Sequence, residues 1–422
     1  MLEIKKTKSL SPVSCRVIDA RVVLEEGRVF LVKQDEDGRT YKTLIEQDYE
    51  FYRRMTAESP AEQVEPSIIF LYASDRCNLN CSVCFEKGQS HPEISLDEME
   101  RLCRRLRHKS IVLMGKEPTC RPDLFAMIRQ AGRHSRVILT TNGIKLADYD
   151  YVAGLKRAGL SIISLTFYGF DDNIYQRLNN RPLAALKLKA LENIKKVGLR
   201  TTLSISLIRG LNDDQIKKMV DYCFDNRSFI YQLRIRTAQK IGACPEVAPF
   251  TMSELLGLFA ESLHIPLADI LKEHLFWKEV LGAMGPLAPP KVLAIVRTRL
   301  CAYSVTIMRD KNGYTCLGSH LPVDQLKNGK WRTVSRMAAF LKTVGPAYLA
   351  DYICAVMGIP AFQSGKSRCL MVGFRCWPNI GNIDLCENRK CPSVYYKHGQ
   401  LIPFCYSNII EAARGRQTGG DG

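Results

Sequence analysis

Between residues 68 and 237, short apolar segments alternate with longer amphipathic ones, and this alternation limits the fold more than any other feature. Buried parallel strands are compact apolar runs, whereas helices that pack on a sheet repeat apolar residues every three to four positions. The predicted strands are IIFLYAS, SIVLMG, RVILTTN, SIISLTFYG, RTTLSISLI and YQLRIRTA. The six β–α units predict a partial (β/α)6 barrel, with its reactive site at the carboxyl ends of the strands.

The regions on either side of this barrel have a different character. Three strand-like runs follow residue 13, and the last two are joined by the hairpin turn DEDG. The expected fold class is α/β, with a small N-terminal β domain and a cysteine-rich C-terminal extension. We predict a small β domain at 1–62, the barrel at 63–245, a helical connection at 246–300, an auxiliary domain at 301–412 and a disordered tail at 413–422.

The chain of 422 residues contains 16 cysteines and carries a net charge of +17. Its first segment lacks the apolar stretch of a secretion signal, and no apolar run reaches the roughly 18 residues of a membrane span. We therefore expect a cytoplasmic protein, in which clustered thiols bind metals more often than they form disulfides. The charge allows peripheral contact with an anionic membrane surface. We expect no nucleic-acid partner, because no basic–aromatic recognition motif accompanies the charge.

A cluster of cysteines follows the first strand of the predicted barrel. Cys77, Cys81 and Cys84 form a C-x3-C-x2-C pattern in the loop DRCNLNCSVCFE. Three thiolates from one loop can hold three irons of a [4Fe–4S] cluster and leave the fourth iron open to another ligand. The alternative is a closed zinc or iron–sulfur site that is completed by a distant fourth cysteine.

This spacing, at the end of the first β/α strand, resembles that of the radical S-adenosylmethionine (SAM) superfamily. In that family the methionine part of SAM binds the open iron. Reduction of the cluster then cleaves the sulfonium, and a 5′-deoxyadenosyl radical abstracts hydrogen from the substrate. The resemblance implies an enzyme of this class, with a three-cysteine [4Fe–4S] cluster and SAM as cofactors and a flavodoxin- or ferredoxin-type reductant as partner.

Later loops carry further landmarks of the family. GKEPT after the second strand resembles the family's GGEPT loop, and TTNG after the third resembles its TNG turn. The SAM contacts that the resemblance implies are Gly115, Glu117, Pro118, Asn142, Ser164, Thr166, Ser204 and Ser206. Two positions depart from the family pattern: Lys116 replaces a glycine, and Val83, with Phe85 just beyond it, replaces the aromatic residue before the third cysteine.

Cysteines near the C-terminus predict an auxiliary [4Fe–4S] cluster. The segments from Cys301 to Cys316 and from Cys391 to Cys405 each resemble a hairpin that would bring its two thiols together. A zinc site or packed free thiols are the alternatives, and the spacing does not select four ligands. The candidate ligands are Cys301, Cys316, Cys376, Cys386, Cys391 and Cys405, with Cys369 nearby.

The two ends of the chain resemble one subgroup of the superfamily, the tetraether lipid synthases and related pterin C-methylating enzymes. The tail WPNIGNIDLCENRKCPSVYYKHGQLIPFCYSN and the opening KSLSPVSCRVIDARVVLEEGRVFLVKQDEDG carry this resemblance. The subgroup's opening domain has a rubredoxin-like metal site. The matching positions here are Ser11, Ser14, Gln34 and Asp37, none of which supplies a thiolate, so we predict that this metal site is lost.

The resemblance leaves the substrate open, and the leading hypothesis is a lipid chain, with a C–C bond formed or altered at an unactivated C–H bond. The apolar segment AYLADYICAVMGIPAF, residues 347–362, would line a tunnel for such a chain or touch a membrane interface, and an ordinary core helix is the alternative. A peptide maturase with a SPASM-like auxiliary cluster and a small-molecule C-methylase are the alternatives. A non-catalytic cluster-binding scaffold is the least favoured, because the C-x3-C-x2-C pattern is intact.

Overall fold

The structure is a computed structural model. It describes residues 1–56, 65–107, 109–238, 241, 248–284, 300–320 and 369–418, of which 276–284 and 414–418 are described by their backbone alone. The apolar segment 347–362, Cys244 and Cys354 therefore lie outside the described residues.

An antiparallel sheet with the strand order β1-β2-β3-β4 forms the N-terminal domain. Its elements are β1 (Leu2–Leu10), β2 (Val17–Glu25), β3 (Arg28–Gln34), β4 (Thr40–Glu46) and the helix α1 (Tyr49–Thr56). The predicted strands are confirmed, and β1 is an addition. The sequence did not indicate β1 because two of its buried residues, Thr7 and Ser9, are polar and hide the alternation.

A second sheet has 11 strands in the order β12-β11-β13-β10-β9-β8-β7-β6-β5-β14-β15. Its central strands are β5 (Ile68–Ser74), β6 (Ser110–Gly115), β7 (Arg136–Thr141), β8 (Ile162–Phe167), β9 (Arg200–Leu207) and β10 (Ile230–Thr237). These strands are parallel and adjacent in chain order, so the predicted core of β–α units is confirmed.

The C-terminal strands extend both edges of this parallel core. They are β11 (Ala302–Asp310), β12 (Gly313–Cys316), β13 (Cys369–Arg375), β14 (Ser393–Lys397) and β15 (Gln400–Pro403). β13 pairs parallel with β10, and β14 pairs parallel with β5. Both predicted hairpins form, β11 with β12 and β14 with β15. The cysteine-rich extension therefore adds strands to both edges of the parallel core, beside β10 and beside β5.

The remaining helices are α2 (Leu96–Arg105), α3 (Leu124–Gly132), α4 (Tyr149–Arg157), α5 (Asp172–Asn179), α6 (Ala184–Val197), α7 (Gln215–Asp225), α8 (Met252–Leu263), α9 (Leu267–Met284), α10 (Leu385–Asn388) and α11 (Phe404–Thr418). None of these helices is long and apolar enough to cross a bilayer. The predicted tail at 413–422 is corrected: α11 continues to Thr418, because Ala, Arg and Gln are good helix formers that extend its buried start.

Alternate residues of the parallel strands face opposite sides of the sheet. One set, including Leu113, Leu139, Leu165 and Leu203, is buried in the main apolar core, which the helices share. The other set is largely polar and lies on the opposite face of the sheet, which we call the inner face. It includes Thr140, Ser164, Thr166, Ser204, Ser206, Gln232, Arg234 and Arg236.

Candidate active site

The loop after β5 brings the three predicted cluster ligands to one pocket. Cys77, Cys81 and Cys84 all line a cavity of about 300 Å³ at the carboxyl ends of the strands. Helix α5 holds this loop. The Ser82 amide donates to the Leu178 carbonyl at 2.9 Å, and Asn179 Nδ2 donates to Cys81 Sγ at 3.0 Å.

The donor set fits a cluster better than a single ion. Within the part of the chain that the structure describes, no three Cys, His, Asp or Glu side chains could hold one metal ion together. A [4Fe–4S] cluster needs wider spacing, because each thiolate binds a different iron. Burial raises the pKa of Cys77 and of Cys84 to about 11. Both are therefore neutral thiols at pH 7 until a bound cation favours the thiolate.

Glu117 joins the GKEPT loop to the TTNG turn. Its side chain is almost fully buried, with 1% of the residue exposed. Oε1 accepts hydrogen bonds from the Thr119 amide at 3.1 Å and from the hydroxyls of Thr119 and Thr141 at 2.6 Å each. Oε2 accepts from the Asn142 amide at 2.7 Å. The carboxylate thus fixes the relative position of two loops that border the pocket.

The predicted SAM contacts in these loops occupy different places. Gly115, Glu117 and Asn142 line the pocket, whereas Pro118 is buried and is not part of the lining. Gly115 has φ +139°, and a Cβ there would lie 2.5 Å from the Ser74 carbonyl oxygen. Only glycine fits this close approach of β5 and β6.

The departures from the family pattern also lie at the pocket. Lys116 turns its ammonium to Asp75, with 2.9 Å between Nζ and Oδ1. Val83 and Phe85 both line the pocket. Phe85 contacts Trp377 edge to face, with 6.0 Å between the ring centres.

The four strand hydroxyls divide into two pairs. Thr166 and Ser206 line the pocket. Ser164 and Ser204 are buried on the same strands, two residues earlier, and do not line it. The assignment of these hydroxyls to the ribose or carboxylate of SAM stays a prediction.

Residues 71–223 match the family model described as the Radical SAM superfamily. The chain contains a radical SAM domain. The predicted superfamily is therefore confirmed for this domain, and the parallel sheet of β–α units confirms the predicted fold class. The match also supports the predicted enzyme class. The chain is similar to a 7,8-dihydro-6-hydroxymethylpterin dimethyltransferase of Methanocaldococcus jannaschii, with 28% identity over 276 residues, which are 57% of this chain and 54% of the relative.

It is also similar to a GTP 3′,8-cyclase of Staphylococcus aureus, with 31% identity over 174 residues, which are 37% of this chain and 50% of the relative. The chain thus spans about half the length of the curated relatives it matches. Among solved structures, Streptococcus suis SuiB bound to S-adenosylmethionine matches 50% of each chain, with 18% identity and a TM-score of 0.41.

The radical SAM domain contains a buried cation that sequence reasoning missed. Lys187 on α6 is 1% exposed, and its ammonium donates to the carbonyls of Asn142 at 2.5 Å and Thr166 at 2.7 Å. Burial lowers its pKa to about 8. A signal was present, because Lys187 shares the i, i+4, i+7 phase of the buried Leu191 and Ile194. Lys187 ties together the strand ends that carry two predicted SAM contacts.

A second cavity of about 560 Å³ adjoins the first at Trp377, Pro378 and Cys405, which line both. It brings together four of the predicted auxiliary ligands, Cys301, Cys376, Cys391 and Cys405. The Cys376 amide donates to the Cys301 carbonyl at 3.1 Å. These cysteines come from the ends of β11 and β13 and from both sides of the β14–β15 hairpin.

The other candidate auxiliary ligands lie elsewhere. Cys316 pairs with Ile307, whereas Cys301 precedes the start of β11 beside Cys376. The expectation that the first hairpin joins its own two thiols is therefore wrong, because the strand register separates them. Cys386 is exposed on α10, and Cys369 is buried at the far end of β13, opposite Met308.

Hydrogen-bonded polar groups occupy the positions of the N-terminal metal site expected from the subgroup. Ser11 Oγ donates to Asp35 at 2.8 Å, Ser14 Oγ to Glu36 at 2.9 Å, and Gln34 Nε2 to the Gly38 carbonyl at 2.8 Å. Asp37 is exposed. The neighbouring Lys33 is buried and donates to the Leu10 carbonyl at 2.7 Å. The loss of the metal site stays a prediction.

Proposed function

We propose that this chain cleaves SAM reductively at a [4Fe–4S] cluster bound by Cys77, Cys81 and Cys84. When bound, cluster and SAM supply a 5′-deoxyadenosyl radical that takes hydrogen from an unactivated C–H bond. One electron from a flavodoxin- or ferredoxin-type reductant balances the cleavage to methionine and the radical. The single observation that carries the proposal is that these three thiols share one pocket with the GKEPT and TTNG loops.

The chain's own residues support this reaction by holding the pocket in shape. Glu117 links the two loops through buried hydrogen bonds, and Lys187 links the ends of β7 and β8. Preorganised loops need no rearrangement when a charged ligand binds, which favours binding.

We also propose an auxiliary [4Fe–4S] cluster in the second cavity. Cys301, Cys376, Cys391 and Cys405 all line it, and four thiolates complete the ligand set of a closed cluster. Burial raises the pKa of Cys376 well above its usual range, so cluster binding and loss of the thiol proton are coupled there. Trp377, Pro378 and Cys405 line both cavities, so a cluster bound in the second cavity would lie next to the pocket proposed for SAM.

For the substrate we propose a polar small molecule, whose C–H bond would be the site of hydrogen abstraction. The inner wall of the pocket favours it, because Thr140, Thr166, Ser206 and Arg236 are polar. The pterin dimethyltransferase similar to this chain acts, by its name, on such a molecule.

A lipid chain is the second candidate. The specific observation that favours it is the apolar side of the second cavity, where Ile45, Met55, Phe250 and Leu300 lie. A hydrocarbon chain gains free energy in proportion to the apolar area that it removes from water, and such a wall supplies that area.

The test is the release of 5′-deoxyadenosine by anaerobically reconstituted protein with SAM and dithionite, followed by chromatography. We expect Cys77→Ala to reduce release to the level without protein. Cys103→Ala is the matched control, because Cys103 is buried in α2 away from the pocket. Equal release by the wild type and Cys77→Ala would refute the proposed reaction.

A further inference from the structure

Two arginines of β10 point to the inner face of the parallel sheet. Strand register puts Arg236 beside Ser206 of β9 and Arg234 beside Ser204. Residues between them, such as Ile235, face the apolar core instead. Arg236 lines the same cavity as the cluster cysteines. Arg234 lies two residues earlier on β10, further from the carboxyl end of the strand.

Neither guanidinium has a carboxylate within 4 Å among the residues that the structure describes. The Nε atoms of both are buried and lack a hydrogen-bond acceptor. Arg234 Nη2 donates to Gln232 Oε1 at 3.3 Å, and the Arg236 guanidinium lies 5.6 Å from the centre of the Trp377 ring. Burial, with the neighbouring charge of Arg234, lowers the pKa of Arg236 to about 10.

The carboxylates of the pocket are engaged elsewhere. Glu117 accepts hydrogen bonds from residues of two loops, as described above. Glu86 Oε2 lies 3.3 Å from His91 Nε2, and Oε1 accepts a hydrogen bond from the Tyr395 hydroxyl of β14 at 3.5 Å. Both arginines are half-buried. A half-buried positive charge without a counter-ion costs free energy, unless a ligand supplies the negative charge.

We propose that Arg236, with Arg234 behind it, binds an oxyanion of the substrate, and that the substrate is a compact phosphate or carboxylate. The inference rests on the proposed function, which makes this pocket the place of hydrogen abstraction. Arg236 and the three cluster cysteines line the same cavity, so a charged group held at Arg236 would lie near the place of hydrogen abstraction. A guanidinium offers paired N–H donors that match phosphate and carboxylate oxygens.

The test measures binding of inorganic phosphate and of acetate to the reconstituted protein in the presence of SAM, by isothermal titration calorimetry. We expect saturable binding of at least one ion. Arg236→Met should weaken it about ten- to a hundredfold, as loss of a charge-assisted hydrogen bond does. Arg236→Lys keeps the positive charge but lacks the paired N–H donors of the guanidinium, so its affinity for the ion should lie between those of the wild type and Arg236→Met. Arg129→Met, at an exposed position of α3, is the matched control and should bind as the wild type does.

Thermal denaturation separates ligand binding from a structural role. Phosphate or acetate should raise the melting temperature of the wild type but not of Arg236→Met, since only the folded arginine site binds the ion. Removing an unpaired, half-buried charge should leave Arg236→Met at least as stable as the wild type without ligand.

Three results would overturn the proposal. The first is equal ion binding by the wild type and Arg236→Met. The second is a loss of SAM affinity in Arg236→Met as large as its loss of ion affinity, which would assign Arg236 to SAM. The third is Arg236-dependent binding of phosphatidylglycerol vesicles but of neither small ion, which would assign the oxyanion to a lipid. Release of 5′-deoxyadenosine is measured separately, so ion binding without release would refute the proposed reaction and leave the oxyanion site standing.

Discussion

The Glu117 carboxylate accepts a hydrogen bond from the Asn142 amide, with 2.7 Å between Oε2 and N, and so connects the loop after β6 to the turn after β7. We predict that Glu117→Gln weakens SAM binding about tenfold or more, because an amide group must turn a donor toward Thr141 or Asn142. Equilibrium dialysis with labelled SAM measures the change. Glu192→Gln, at an exposed position of α6, is the control. An unchanged SAM affinity in Glu117→Gln would show that the loops keep their positions without this carboxylate.

Gly115 gives the second prediction. A methyl group at this position would meet the Ser74 carbonyl at 2.5 Å, in a backbone conformation that L-residues avoid. Gly115→Ala should lower the melting temperature and weaken SAM binding together, since β5 and β6 must separate at the pocket. Gly257→Ala on α8 is the matched control, because a Cβ there meets nothing within 4 Å. That change should stabilise the protein by roughly 0.4–1 kcal/mol. Similar effects of the two substitutions would contradict the close approach.

The strand–helix order could be predicted from sequence because parallel strands buried on their core side are compact apolar runs with clear ends. The three cluster cysteines could be predicted because they are close in sequence. Arg236 could not, because a charged residue at alternate positions of a strand indicates a solvent-facing side until the neighbouring strands are placed. Lys187 carried only the weak signal of its helical phase, which a single charged residue normally outweighs. The auxiliary cysteines show the same limit. The spacing of cysteines in the sequence does not give the strand register. It is the register that puts Cys301 beside Cys376 and Cys316 away from both.

Asn179 gives the third prediction, which concerns the cluster itself. Its Nδ2 lies 3.0 Å from Cys81 Sγ. A hydrogen bond to a ligating sulfur stabilises the more negative, reduced cluster and raises its reduction potential. Asn179→Leu should therefore make the potential about 30–60 mV more negative, which for one electron corresponds to roughly 0.7–1.4 kcal/mol. A redox titration followed by electron paramagnetic resonance measures it. Asn173→Ala, at an exposed position of the same helix, should leave the potential unchanged. An unchanged potential in Asn179→Leu would refute the contact's role.

Lys33 gives a prediction of pH dependence. Burial lowers its pKa to about 8, below its ordinary value of 10.5. Between these values the unfolded chain binds more protons than the folded one, so stability rises with pH. The cost of the buried charge is full below pH 8 and is relieved as the pH rises toward 10.5.

Relative to Lys33→Met, the wild type should gain up to roughly 1.4 kcal/mol per pH unit in this window. Melting temperatures at several pH values from 7 to about 10 test this, with the exposed Lys6→Met as control. Parallel pH profiles of the wild type and Lys33→Met would show that Lys33 does not lose its proton in the folded protein.

The last prediction concerns the auxiliary cluster. With both clusters bound, the reconstituted chain should contain about eight irons, four for each cluster. Cys391→Ala should lose about four of them, because Cys391 lines the second cavity with three other cysteines. Cys386→Ala is the matched control. Cys386 is five residues away in sequence but exposed on α10, outside the lining, and its substitution should keep the full iron content.

Iron analysis with the visible absorbance of each variant distinguishes these outcomes. About four irons in the wild type would remove the auxiliary cluster altogether. Loss of iron in Cys386→Ala but not in Cys391→Ala would mean that the ligands come from the exposed helix rather than from the cavity. Equal losses in both variants would require a larger rearrangement of the segment between β13 and β14 on metal binding. The pattern expected here arises only if strand register, rather than sequence spacing, selects the four ligands.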